Sequence, residues 1–175
     1  LLSWLPTYFA DELGFDITNS AIVSALPYVV MWLLSVSSGT LADKMILYLD
    51  RAGVRKLFYG VGNLYPALFL ALLPFVPASS PYVAVGFMTL GVGMAGIALP
   101  GFGPNHIELG PKYSGVLMGI TNTVATLPGI FGVLIAGWIV DVTGSWVLVF
   151  WITSAVYIFG SLEFAAFGKA EPCIK

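Results

Sequence analysis

The placement of charged residues constrains this chain more than any other feature. Only 16 of its 175 residues are Lys, Arg, Asp or Glu, and they leave four long stretches without a charge. Those stretches cover residues 17–42, 57–107, 113–140 and 142–162, and together they hold 126 residues. About 20 apolar residues are enough to cross the hydrocarbon core of a bilayer. The pattern predicts a multi-pass membrane protein. It excludes a soluble enzyme, a nucleic-acid-binding domain and a secreted scaffold built on disulfides.

The uncharged stretches divide into five full predicted spans and one fragment. A Pro- and Ser-rich break at residues 77–81 splits the longest stretch in two. The predicted limits are 1–10 for the fragment, and 20–42, 57–76, 82–104, 114–140 and 146–167 for the full spans. Backbone groups inside lipid must hydrogen-bond within the protein, and the residue alternation of a barrel strand is missing here. We therefore expect an all-α integral membrane fold.

Basic residues predict the orientation of these spans. The connection at 43–56 carries Lys44, Arg51, Arg55 and Lys56, and basic residues in short loops favour the cytoplasmic side. Alternation of the spans then places the C-terminus on that side as well. The remaining basic residues agree with this orientation, because they lie in the 105–113 connection or near the C-terminus: Lys112, Lys169 and Lys175. Plasma, vesicular, lysosomal and other organellar membranes fit the sequence equally well.

A short motif occurs twice, at the ends of two spans. Residues 39–43 read Gly-Thr-Leu-Ala-Asp and residues 137–141 read Gly-Trp-Ile-Val-Asp, three spans apart. An odd number of spans puts the two copies on opposite membrane faces, as an inverted repeat of three plus three helices would. The other interpretation is coincidence, because glycine accounts for 20 residues of the chain.

The first copy of the motif resembles a known signature. Gly-x-x-Ala-Asp-Lys at 39–44, followed by Arg51, Arg55 and Lys56, is similar to the loop that joins the second and third helices of each half of major facilitator superfamily transporters. The stretch 45–50 is inserted before the basic cluster, unlike the commonest form. The resemblance implies that the chain is the C-terminal six-helix bundle, helices seven to twelve, with the first helix truncated and the N-terminal half absent.

A second stretch narrows the resemblance within that superfamily. Residues 105–115, Asn-His-Ile-Glu-Leu-Gly-Pro-Lys-Tyr-Ser-Gly, resemble a segment of the anion:cation symporters. This solute-carrier group includes sialin, vesicular glutamate and nucleotide transporters, and sodium–phosphate cotransporters. Glu108 replaces Asp and Lys112 replaces Arg, so both departures keep the charge, whereas Pro104 before Asn105 and Glu163 in a normally apolar stretch do not follow the pattern.

The resemblance implies a function. The chain would belong to a secondary active transporter that moves an organic or inorganic anion by alternating access, coupled to H⁺ or Na⁺. It would be no enzyme, and it would need no cofactor or metal besides that ion. Its partners would be the substrate anion, the lipid bilayer and the N-terminal half, which would hold most of the substrate-binding arginines, but no nucleic acid. The alternative is a non-transporting, half-size membrane scaffold or assembly protein.

Asn122 is the strongest candidate for a substrate contact. It lies in the middle of an uncharged stretch, where an amide without partners costs roughly 2–7 kcal/mol. Helical spacing aligns it with Gly115, Gly119 and Thr126, and Thr123 follows it directly. This stripe predicts a cavity wall with polar contacts. The competing interpretation is a seam between helices, because small residues and a bonded amide also pack membrane helices together.

Further polar residues are candidates for the same pathway. Tyr8, Ser24 and Tyr28 belong to the first two segments, although membrane tyrosines also serve as interface anchors. Asn105 and His106 open the cytoplasmic connection. His106 is the sole histidine, and it could respond to a proton gradient or simply bond to loop backbone.

The last candidate is a gating loop between the second and third spans. Asp43 sits near the end of a helix, where a carboxylate opposes the dipole by roughly 0.3–1 kcal/mol and calls for a nearby cation. We expect a charge network that biases two conformations, although the basic residues could instead act only in membrane insertion. The network would comprise Gly39, Asp43, Lys44, Arg51, Arg55 and Lys56.

Overall fold

The computed structural model describes residues 2–77 and 79–171, and within them the chain is helical with short connections. Nine α-helices occur there: α1 Leu5–Asp11, α2 Ile17–Val23, α3 Leu26–Ile46, α4 Arg51–Leu72, α5 Pro81–Gly93, α6 Leu99–Phe102, α7 Asn105–Leu109, α8 Ser114–Thr143 and α9 Val147–Phe167. Four 3₁₀ turns accompany them, at Leu2–Trp4, Leu73–Phe75, Met94–Ala98 and Pro111–Tyr113. Residues 1 and 78, which belong to predicted segments above, and Lys175 lie outside the described residues.

Five helical segments are long and apolar enough to cross a membrane, and they match the five predicted spans. They run from Thr18 to Ile46, Arg51 to Phe75, Pro81 to Leu109, Pro111 to Thr143 and Val147 to Phe167. This confirms the prediction of an all-α membrane protein. The first of them is interrupted between α2 and α3, where Pro27 is buried and the Oγ of Ser24 donates to the carbonyl of Ser20 at 2.6 Å.

The predicted connection at 43–56 is longer than the connection in the structure. α3 continues to Ile46 and α4 already begins at Arg51, so that only residues 47–50 connect them. Asp50 defines the start of α4, because its carboxylate accepts the backbone N–H of Gly53 at 2.7 Å, as an N-cap does. Asp43 therefore lies one turn inside α3, and Arg55 lies one turn inside α4.

α4 is the central helix of the bundle. It packs along α9 and against the broken span that follows residue 81. Closest approach occurs at Gly62, where a Cβ would overlap the backbone of Ala98. A larger apolar core, which includes Phe9, Leu70, Met88 and Phe150, fills the end of the bundle near α1, and a smaller one of Ala42, Val54 and Phe58 lies near the α3–α4 connection.

The third span is broken into α5, a 3₁₀ turn, α6 and α7. Prolines at 100 and 104 lack the backbone N–H that a continuous helix needs. Gly93 and Gly96 lie against Val30 and Met31 of α3, with no room for a side chain. The glycine-rich sequence 91–96 thus serves close helix packing inside a membrane span.

Candidate functional site

The small and polar stripe of α8 faces open space. Gly115, Gly119 and Gly129 have no neighbouring atom within 4 Å of where a Cβ would be. Asn122 is exposed, and its side-chain amide has no hydrogen-bond partner among the described residues. Thr126 and Thr123 are exposed too, but their hydroxyls donate to the carbonyls of their own helix. An unoccupied amide with donors and an acceptor is what a polar ligand or another helix could bind.

Two of the proposed pathway residues belong to the core instead. Tyr8 is 7% exposed, and its ring contacts Trp146 and Phe150 edge-on at centroid distances of 5.8 and 5.1 Å. Ser24 is buried, and its hydroxyl donates to the backbone carbonyl of Ser20 where α2 ends. Tyr8 is buried because aromatic side chains pack around α1. The hydroxyl of Ser24 can be buried because a backbone carbonyl of its own helix accepts its hydrogen bond. Tyr28 stays 43% exposed at the start of α3.

A buried ion pair occupies the predicted cytoplasmic end. The guanidinium of Arg55 donates to the carboxylate of Glu108 through Nη2 at 2.7 Å and through Nε at 3.1 Å. Its Nη1 donates to the carbonyl of Pro100 at 2.8 Å. Both side chains are less than a tenth exposed. Such a two-pronged contact satisfies Arg55 and fixes α4 to α7.

Sequence reasoning missed Glu108 as the partner of Arg55. It placed Arg55 in a loop, as one of four basic residues that could compensate Asp43, whereas the actual partner lies 53 positions further along the chain. One signal could have pointed to this partner. Glu108 keeps the negative charge of the Asp that the family has at this place in the motif at 105–115. Asp43 itself is exposed and has no cation within 4 Å among the described residues.

The other residues of the predicted gating loop are not assembled into one network. Lys44 and Arg51 are exposed, and Lys56 is half-buried. Gly39 has open space where a Cβ would stand, so no helix of the described chain approaches it. Only Arg55 is drawn into the interior.

Asn105 and His106 connect α7 with the segment after α9 and with α8. The amide of Asn105 is buried and donates to the carbonyl of Lys169, in the segment that follows α9. The ring of His106 has its Nε2 2.8 Å from the hydroxyl of Thr121 on α8. Both residues therefore hold this end of the bundle together, and neither bonds to Asn122.

Glu163, the acid inside the last span, borders a cavity near the same end. The cavity has a volume of about 330 Å³, and Tyr59, Asn105 and Lys169 line it as well. Glu163 is exposed, and no cation lies within 4 Å of it among the described residues.

Comparisons with a family model and with individual proteins both match almost the whole chain. A model of the Major Facilitator Superfamily matches residues 1–172. Sialin of Homo sapiens is 37% identical over 175 residues, covering 98% of this chain and 35% of sialin. The chloroplastic ascorbate transporter of Arabidopsis thaliana is 36% identical over 172 residues, which cover 98% of this chain and 31% of that protein. A putative inorganic phosphate cotransporter of Drosophila ananassae is 34% identical over 178 residues, which cover 98% of this chain and 37% of that protein.

These relatives are all transporters, and the chain spans about a third of their length. The family match extends over nearly every residue, including the motifs at 39–44 and 105–115. It agrees with five membrane-length helices in the structure. The chain belongs to the major facilitator superfamily.

Proposed function

We propose that the chain is the C-terminal six-helix bundle, helices seven to twelve, of a secondary active transporter of an organic or inorganic anion. It would work by alternating access, with H⁺ or Na⁺ as the coupling ion. The open polar face of α8 carries this proposal, because a free amide at mid-membrane depth is costly unless a substrate or a facing helix binds it. The relatives support the substrate class, since their names refer to anions such as ascorbate and inorganic phosphate.

An anion in a membrane needs a compensating cation, and the residues that the structure describes offer none free at mid-span. Among the described residues of the spans, Arg55 is the buried arginine, and Glu108 already neutralises it. Within the proposal, this bundle supplies polar contacts and one wall of the cavity. The other half of the transporter then supplies the cations that bind the substrate.

The cytoplasmic gate of the proposed transporter lies where α3 and α7 end and α4 begins. Arg55 and Glu108 form its fixed part, and the exposed charges of Asp43, Lys44 and Arg51 face outward to meet a second bundle. Exposed pairs contribute about 0–1 kcal/mol each, which is enough to shift two states of similar energy. The basic residues would place this gate in the cytoplasm.

Asn122→Ala in the full-length protein tests the proposal. We expect uptake into liposomes to fall at least tenfold, while expression and detergent melting stay unchanged, because the amide has no partner in the described chain. Uptake is measured with phosphate, glutamate, sialate and nucleotides. Asn63→Ala is the matched control, because the Asn63 amide is buried and donates to the carbonyl of Tyr59, so that stability falls instead. If Asn122→Ala left uptake unchanged, Asn122 would not be a substrate contact. If the wild-type protein took up none of these anions, the non-transporting scaffold would be the better explanation.

A further inference from the structure

A small cavity lies at the end of the bundle opposite the pair of Arg55 and Glu108. Its volume is about 130 Å³, which corresponds to roughly four water molecules of the liquid. The end of α1, the turn after α4 and the start of α9 line it, and the polar stripe of α8 contributes no residue. The cavity is therefore separate from the surface that carries the proposed function.

Aromatic side chains form much of the cavity wall. Tyr8, Trp146 and Phe150 all line it, and they are 7%, 3% and 2% exposed. Their rings contact one another at centroid distances of 5.8, 5.1 and 6.4 Å. Tyrosine and tryptophan near a membrane surface commonly anchor a helix by facing the lipid. Tyr8 and Trp146 are buried within the protein, so anchoring does not account for them.

Two polar atoms of this wall have no partner. The hydroxyl of Tyr8 and the Nε1–H of Trp146 form no hydrogen bond with another described residue. Neither atom is sealed inside the protein, unlike the hydroxyl of Thr89. The cavity is the space that the two side chains share. Because polar groups in a protein core normally have partners, an oxygen acceptor placed in the cavity would suit these two donors.

Glu12 adds a negative charge to the cavity. It lies one helical turn after Tyr8, and no Lys or Arg of the described chain lies within 4 Å of it. The described basic residues are all at the opposite end of the bundle: Lys44, Arg51, Arg55, Lys56, Lys112 and Lys169. The acids near the cavity end are Asp11, Asp16 and Asp141. This end therefore attracts cations and repels anions.

The wall and the charge together favour one class of cation. Quaternary ammonium ions are recognised by aromatic rings, and tryptophan attracts them most strongly. A Ca²⁺ or Mg²⁺ ion would need several oxygen ligands, whereas the lining has a single carboxylate, that of Glu12. A primary ammonium would need acceptors for three N–H groups. A methylated ammonium needs no such acceptors, and its methyl groups suit an aromatic and aliphatic wall.

We propose that this cavity binds an alkylammonium ion that carries an oxygen atom close to its charge, which is the chemistry of choline. The rings of Tyr8, Trp146 and Phe150 contact its methyl groups, and Glu12 compensates its charge. The hydroxyl of Tyr8 and the N–H of Trp146 donate to its oxygen. Free choline and the headgroup of a choline phospholipid both offer this chemistry. The proposal does not rest on the anion transport proposed above.

Equilibrium binding of radiolabelled choline to the full-length protein in a maltoside detergent tests the proposal. We expect saturable binding that tetramethylammonium displaces. The uncharged analogue 3,3-dimethylbutan-1-ol, which has the same shape as choline, should not displace it. Trp146→Leu should weaken binding about tenfold, because it removes a cation–π contact. Glu12→Gln should weaken it about fivefold, as expected for one exposed charge pair.

Asp11→Asn is the matched control, because Asp11 is the neighbouring exposed acid and does not line the cavity. It should bind choline as wild type does. Glu12 is exposed, so Glu12→Gln still decides the assignment if Trp146→Leu does not fold. Absence of displaceable binding to wild type, equal binding by wild type and Glu12→Gln, or displacement by 3,3-dimethylbutan-1-ol as strong as that by tetramethylammonium would overturn the proposal.

Reconstitution into vesicles distinguishes the two sources of the ligand. Choline binding is compared between vesicles of phosphatidylcholine and vesicles of phosphatidylglycerol. Weaker binding in phosphatidylcholine would identify the lipid headgroup as the occupant, because the lipid then competes for the cavity. Equal binding in both would identify a soluble alkylammonium ion. Either result supports the site once binding in detergent depends on Glu12.

Discussion

At the scale of single residues, the buried pair of Arg55 and Glu108 is the strongest electrostatic contact of the described chain. Both side chains are less than a tenth exposed, so each charge depends on the other for compensation. Removing one partner of a buried pair typically costs 3–5 kcal/mol, whereas replacing both by apolar residues costs far less. We therefore predict that Glu108→Gln lowers the free energy of unfolding by about 3 kcal/mol.

Unfolding in detergent mixtures of rising denaturant content measures this effect. Arg55→Met with Glu108→Met should recover most of the loss, although the bond from Arg55 to the carbonyl of Pro100 disappears as well. Glu12→Gln serves as the control, because Glu12 is exposed and should change stability by less than about 0.5 kcal/mol. If Glu108→Gln also lowered the free energy of unfolding by less than about 0.5 kcal/mol, the prediction that the buried pair stabilises the fold would be wrong.

At the scale of elements, the contact of α4 with the broken third span depends on one glycine. A Cβ on Gly62 would overlap the backbone of Ala98, which cannot move aside as a flexible side chain could. Forcing packed helices apart typically costs 1–3 kcal/mol. We predict that Gly62→Ala destabilises the protein by about that amount, as measured by thermal melting in detergent.

Gly86→Ala provides the matched comparison in α5. Open space surrounds the position of its missing Cβ, and alanine favours a helix over glycine by about 1 kcal/mol. We expect this variant to melt at the same temperature as wild type or higher. Equal melting temperatures of the two variants would mean that α4 and residue 98 are not in tight contact in the membrane.

At the scale of the whole molecule, the basic residues and the helix count predict one orientation. Residues 47–50 and the C-terminus should share the cytoplasmic side, and the connection before α5 should face the other side. In a protein lacking other cysteines, Tyr48→Cys and Ser79→Cys should react with a membrane-impermeant reagent from opposite sides. Both parent residues are exposed, so access does not limit the reaction. Reaction of both from one side would contradict the orientation.

The sequence alone determined the spans and the family. A run of 20 or more uncharged apolar residues has one stable form in lipid, a helix whose backbone bonds are internal, so composition is enough to locate it. Helix ends are less certain, because Asp50 as an N-cap and the continuation of α3 past Asp43 depend on local hydrogen bonds. The motifs at 39–44 and 105–115 identified the superfamily before any contact was known.

Only the tertiary structure decided which faces of these helices meet. In water, the apolar side of a helix reveals its inward face, but lipid is as apolar as a protein core, so apolar residues point in every direction. The pairing of Arg55 with Glu108, the burial of Tyr8 among aromatic rings and the bond from His106 to Thr121 all follow from the rotation of each helix about its axis. That rotation is set by close packing at positions such as Gly62 and Gly96, whose partners are distant in the chain and become known only when the helices are assembled.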